Sequence, residues 1–188
     1  MASVVFLRGV NVGGHRLFRP SILARELVKY DVVNVGAAGT FVVRKPISPA
    51  KLRAELLRRL PFEAEAMICS AGDLISLPST KPFAREPSGP DLVRFVSVLA
   101  KRLRMLPALP VTLPPGDNWL LKILAIRGRF AFGIYRRTVR TVGIFGQLEK
   151  RLGRSATTRN WNTITTIIEI LESDRAMAST GSGAVLKR

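Results

Sequence analysis

The chain has 188 residues, with 30 Lys and Arg against 13 Asp and Glu, a formal net charge of +17. Its 47% apolar content suffices for an ordinary core, which excludes charge-driven disorder, because disordered chains pair low apolar content with high net charge. With 15 Gly, 12 Pro and one Cys, a collagen-like or disulfide-built scaffold is excluded as well.

In chain order, Ser3–Leu7 reads as a buried strand, followed by the Gly-rich loop Arg8-Gly9-Val10-Asn11-Val12-Gly13-Gly14-His15. Pro20–Tyr30 reads as a helix with Pro near its first position. Val32–Val35 and Phe41–Arg44 read as strands around a Gly36–Gly39 turn. Ser48-Pro49 signals the next helix, whose apolar stripe is Leu52, Leu56, Leu57 and Leu60. Glu63–Cys69 closes a β-α-β-β-α-β order, the ferredoxin-like pattern. Leu74–Leu77 suggests a short helix, and Pro78–Pro90 an irregular connector.

The second half resumes with the strand Leu92–Leu99 and a short basic helix over Lys101–Met105. Pro107–Gly116 follows as a loop or edge segment. Trp119–Ile126 and Phe130–Tyr135 form a hairpin pair. Two helices complete the reading. One carries Phe145, Leu148 and Leu152 on one face with Gly153 as its C-terminal stop. The other runs from near Thr158 to about Leu171. The expected fold class is therefore α+β: a ferredoxin-like subdomain (1–77), a connector (78–90), a second, related α+β subdomain (91–172) and a mobile tail (173–188).

Charge is uneven. Residues 1–94 hold 14 basic and eight acidic residues, and residues 95–188 hold 16 and five. Such a field attracts anions. An Arg-rich composition with ordinary solvated faces is the alternative, since no run of five like charges occurs. Lys122, Arg127, Arg129, Arg136, Arg137 and Arg140 stand at strand ends and are the candidate nucleic-acid contacts. The expected partners are nucleic acid or a phosphorylated small molecule, with affinity that falls as salt rises.

Two segments could hold an anion. In the first, Arg8, Gly9, Asn11, Gly13 and Gly14 follow a strand, where glycines let backbone N–H groups approach a phosphate. The spacing matches neither G-x-G-x-x-G nor a P-loop, and a structural turn is the competing reading. In the second, Thr158, Arg159, Asn160, Asn162 and Thr163 surround a helix start. A cation in a first helical turn opposes the macrodipole, so Arg159 calls for an anion or for a carboxylate such as Asp117 or Glu149. Trp161, Ile164, Ile168 and Leu171 share one helical face, which makes Trp161 a core anchor before a stacking platform. An enzyme reading joins the two segments around a small phosphorylated or carboxylated substrate.

Other chemistry has little to stand on. A single His excludes a His-rich metal site, no nucleophile elbow is present, and no cofactor is expected. Cys69 lies in an apolar strand and reads as a buried structural thiol. No signal peptide or membrane-length apolar run is found, so the expected location is the cytoplasm, with no membrane partner.

Phe6-Leu7-Arg8-Gly9-Val10-Asn11-Val12-Gly13-Gly14 and Thr157-Thr158-Arg159-Asn160-Trp161-Asn162-Thr163 together resemble a bacterial family of unknown function. Its members begin with L-R-G-I-N-V-G-G after a strand and end with T-x-R-N-W-N-T. The resemblance covers residues 3–172 and implies a compact α+β fold with ferredoxin-like parts and no assigned activity. This chain departs at Ala38-Gly39-Thr40, where members carry S-G-N.

Overall fold

A computed structural model describes residues 1–11, 17–86, 89–138 and 143–181. It is an α+β protein with two antiparallel sheets and, among the described residues, five α-helices. The chain divides into two compact units, Met1–Leu77 together with Asn162–Arg188, and Pro78–Trp161.

The first unit is built on β1 (Ser3–Arg8), β2 (Val32–Asn34), β3 (Thr40–Val43) and β4 (Glu65–Ser70), in the order β2-β3-β1-β4. Strand β1 pairs antiparallel with both β3 and β4, and Val4, Val5, Phe6 and Leu7 are at most 1% exposed. A strand covered on both faces needs a continuous apolar run, which is why this segment does not alternate. Helices α1 (Pro20–Glu26) and α2 (Pro49–Leu57) belong to the core on one face, where Leu23, Leu27, Leu52 and Leu56 join Val5, Leu7, Phe41 and Val43. Ser48 caps α2 by accepting from Lys51 N at 3.3 Å, with Pro49 at the first helical position. The opposite face carries Val4, Phe6, Val42, Met67 and Cys69, all buried. Cys69 is thus a core thiol paired across the sheet with Val4.

Three boundaries differ here from the sequence expectation. The Pro20–Tyr30 helix stops at Glu26 and tightens into a 3₁₀ turn at Val28–Tyr30. Leu74–Leu77 is replaced by α3 (Ala71–Ile75), because Ser70 accepts from Asp73 N and caps the helix earlier. The last helix, α5 (Trp161–Gly181), carries residues 173–181 of the expected tail. No proline interrupts that stretch, and from Asn162 on the helix belongs to the first unit instead of the second.

The second unit holds β5 (Leu92–Leu99), β6 (Val111–Leu113), β7 (Leu121–Arg127), β8 (Phe130–Arg136), α4 (Ile144–Leu152) and β9 (Ala156–Asn160). Its sheet order is β6-β7-β8-β5-β9, with every pairing antiparallel. Helix α4 shares one core with this sheet, joining Leu148 and Leu152 to Phe95, Leu121 and Ile123. Gly153 ends it at φ 59, a left-handed position that glycine takes without strain. The helix expected over Lys101–Met105 does not form. Pro107 and the prolines after it leave no run long enough to bury a stripe, and the short edge strand β6 occupies this connection. The helix expected from Thr158 is also corrected: Ala156–Asn160 is a strand on β5, and Ser97 and Thr158 share a hydrogen bond of 2.7 Å between their hydroxyls.

Candidate functional site

Asn11 closes its own loop. At φ 53 it sits in the left-handed region that Asn tolerates better than most side chains. Its Nδ2 donates to Phe18 O at 3.1 Å and Ala37 O at 2.7 Å, while its Oδ1 accepts from Phe18 N at 2.9 Å. The amide group is therefore committed to the fold. Gly9, at φ 67, lets the chain turn out of β1, and Arg8 lies 3.8 Å from Glu65. Gly13 and Gly14 lie outside the described residues. The Ala38-Gly39-Thr40 turn meets this loop: Leu7 N donates to Gly39 O at 2.8 Å, and Asn11 reaches Ala37.

Arg159 is not in a helical turn. It lies in β9 opposite Val96, and α5 opens two residues later at Trp161. A strand residue does not oppose the macrodipole, so the expected need for an anion at Arg159 is removed. The side chain is 7% exposed, and its Nη1 donates to Thr157 Oγ1 and Thr158 O, both at 2.8 Å. Burial pushes the guanidinium down to about 10. Glu149, one expected counter-charge, accepts from Ala156 N at 2.9 Å and so ties α4 to β9. Thr158 is half-buried, Asn160 and Asn162 are exposed and Thr163 is half-buried. Arg8, Gly9 and Asn11 belong to the first unit and Arg159 to the second.

The hairpin cations fall into two groups. At one end of β7 and β8, Arg136 stacks on Trp119 with its guanidinium carbon 4.6 Å from the ring centroid, and its Nε donates to Trp119 O at 3.2 Å. Lys122 lies 5.7 Å from the same ring and 3.3 Å from both carboxylate oxygens of Glu86. Arg137 is exposed beside them, and its backbone N–H donates to Asp91 O. At the other end, Arg127 is exposed, Arg129 Nε donates to Leu99 O at 2.8 Å, and Arg102 lies alongside Gly128. Strand rise separates Lys122 from Arg127 by about 16 Å. The six candidates are therefore not one patch, and Arg140 lies outside the described residues.

The expected connector 78–90 lines two surface depressions that periodicity does not reveal. Lys81, Phe83 and Glu86 line a cavity of about 510 Å³ with Arg94 and Trp161. Lys81, Arg85 and Glu86 also line a second one of about 310 Å³ with Lys122 and Leu109. The only hint in the sequence is an aromatic residue between two cations in Lys81-Pro82-Phe83-Ala84-Arg85. In the first unit, a largely apolar cavity of about 740 Å³ includes Arg44, which Asp174 holds at 2.8 Å and Asp31 at 3.5 Å. The hydrogen bond to Asp174 raises the Arg44 pKa.

Among the described residues, no group of three or more His, Cys, Asp or Glu could hold a metal ion, and no helix is long and apolar enough to cross a membrane. No protein-family model matches the chain, and no curated protein matches it. Among solved structures, the chain is similar to a conserved bacterial protein from Streptococcus pneumoniae. That match is 18% identical, with a TM-score of 0.54, and covers 90% of this chain and 98% of the other. The likeness is one of fold alone.

Proposed function

We propose that the chain binds phosphate-bearing partners, nucleic acid first among them, through the hairpin of its second unit. The observation that carries this reading is Arg136 at 4.6 Å from the Trp119 ring with Arg137 exposed next to it, while Lys122, 5.7 Å from the same ring, is paired with Glu86. An aromatic side chain flanked by cations is the chemistry that single strands meet on their binding surfaces: bases stack, and guanidinium and ammonium groups take phosphates. Residues 78–161 add a long-range field, with 16 basic against four acidic residues.

The same reading includes the fold family. Both sheets are taken as ferredoxin-like, supported by the order β4-β1-β3-β2 in one and β9-β5-β8-β7 in the other. The chain is taken as a member of the bacterial family whose end motifs it resembles, working in the cytoplasm. The enzyme reading that joins residues 8–14 to Arg159–Thr163 has no comparable observation behind it.

The test is the anisotropy of a labelled single-stranded RNA with the protein at about 50 and 200 mM salt. Two phosphate contacts, from Arg136 and Arg137, predict a loss of affinity of roughly sevenfold across that range. Arg136→Ala lowers both the affinity and the salt slope, and Trp119→Ala lowers affinity at both salts. Absence of binding at the lower salt removes the proposal.

A further inference from the structure

We infer that the cavity between Lys81, Arg94 and Trp161 is a separate site for one small anion bearing a planar ring, of the mononucleotide class. It is a wide, open surface depression of about 510 Å³, deep enough to hold one face of a small ring. Trp161 lines it and packs edge to face on Phe83, which is 7% exposed, with centroids 5.2 Å apart, and both rings rest on Phe132 at 6.3 Å. Trp161 is half-buried, so this packing fixes the ring while leaving part of it in the cavity. Arg94 is positioned by the same aromatics, its guanidinium carbon lying 5.4 Å from the Phe83 centroid.

The charges favour an anion. Lys81 and Arg94 are the cations of the lining and Glu86 the one acid, and Glu86 is engaged by Lys122 at 3.3 Å through both oxygens. Lys81 also holds φ 42, a left-handed backbone that costs about 1–2 kcal/mol for an L-residue with a long side chain. Strain of this kind concentrates where a side chain must be aimed. A half-buried indole beside two lining cations selects a ligand that offers both a flat apolar surface and a negative group, which neither free phosphate nor a bare nucleoside does.

The site can be read without the hairpin surface, because the chain has two tryptophans. In a Trp119→Phe variant, Trp161 is the sole indole reporter. Adenosine monophosphate is expected to change its fluorescence saturably. Adenosine binds roughly tenfold or more weakly, the loss of one charge-assisted hydrogen bond. Inorganic phosphate competes without quenching. Arg94→Lys and Lys81→Gly each weaken the nucleotide by a similar factor with an unchanged circular dichroism spectrum. Lys81 is exposed, so its variant decides the matter if Arg94→Lys does not fold. A flat titration to millimolar adenosine monophosphate, equal affinity for adenosine, or full affinity in Lys81→Gly overturns the inference. RNA anisotropy with Arg136→Ala reads the hairpin surface independently, so failure of one site is distinct from failure of the other.

Discussion

Asn11 and Phe18 exchange a reciprocal pair of hydrogen bonds, side-chain amide to carbonyl at 3.1 Å and backbone N–H to side-chain oxygen at 2.9 Å. The pair closes the loop between β1 and α1, and the third bond, to Ala37 O, pins it to the turn before β3. Asn11→Ala removes all three bonds and places a residue less tolerant of φ 53 there. A loss of about 2–3 kcal/mol is expected at about 1 kcal/mol per bond. Asn11→Asp keeps the acceptor toward Phe18 N but sets a carboxylate oxygen against the Phe18 and Ala37 carbonyls, so it is expected to be no more stable than Ala. Urea denaturation of the three proteins orders them. If Asn11→Ala is as stable as wild type, the side chain is not the clasp.

Gly133 occupies the middle of β8 because nothing larger fits. A Cβ there would stand 2.5 Å from Lys122 O and 2.6 Å from Phe95 Cζ. The Phe95 ring lies over the glycine of the neighbouring strand, opposite which it pairs. Gly133→Ala is expected to cost about 1–3 kcal/mol through forced movement of the ring or of β7. Thermal unfolding reads the loss, and a Tm equal to wild type contradicts it. Gly36→Ala is the contrast. Its new methyl meets nothing within 4 Å, so only the φ of +75 is penalised.

Lys81 gives a prediction of opposite sign. Glycine relieves its left-handed backbone, so Lys81→Gly is expected to leave stability unchanged or raise it by up to about 1 kcal/mol. A residue kept in a strained conformation when a simpler one is more stable points to a use for its side chain. A destabilised variant would show instead that the Lys81 stem contributes packing.

What could be read in advance follows from how locally each feature is encoded. Leu92–Leu99 and the helix start at Ser48-Pro49 announce themselves through apolar patterning and a cap, both properties of neighbouring residues. Strand β9 does not. Thr157, Thr158 and Arg159 are polar, Thr157 and Arg159 are buried where the strand pairs with β5 about sixty residues away in sequence, and the helical spacing of Trp161, Ile164 and Ile168 points to a helix that starts before the true boundary. The β-branched pair Thr157-Thr158 was the available signal. The same long-range problem hides the cavity at Lys81. Its other cation, Arg94, comes from a strand whose alternation shows which face it is on, and nothing local shows that Phe83 will lie beneath it. The assignment of α5 to the first unit is likewise a matter of packing partners, which a helical stripe does not name.

Arg159 allows a prediction with its sign fixed by linkage. Burial lowers its pKa from the ordinary arginine value to about 10, because a guanidinium that is 7% exposed has lost most of its hydration. Between those two values the unfolded chain holds a proton that the folded chain has released. Stability from this group therefore rises with pH across that window, and below it the desolvation cost is constant. Arg159→Gln has no such titration. Denaturation of both proteins at about pH 8 and pH 11 should show the wild type gaining stability on the variant at the higher pH, on the order of 1 kcal/mol. Other titrating groups are common to both proteins and cancel in the difference. An unchanged difference between the two pH values would mean that Arg159 keeps its proton, and that its bonds to Thr157 and Thr158 compensate its burial in the charged form.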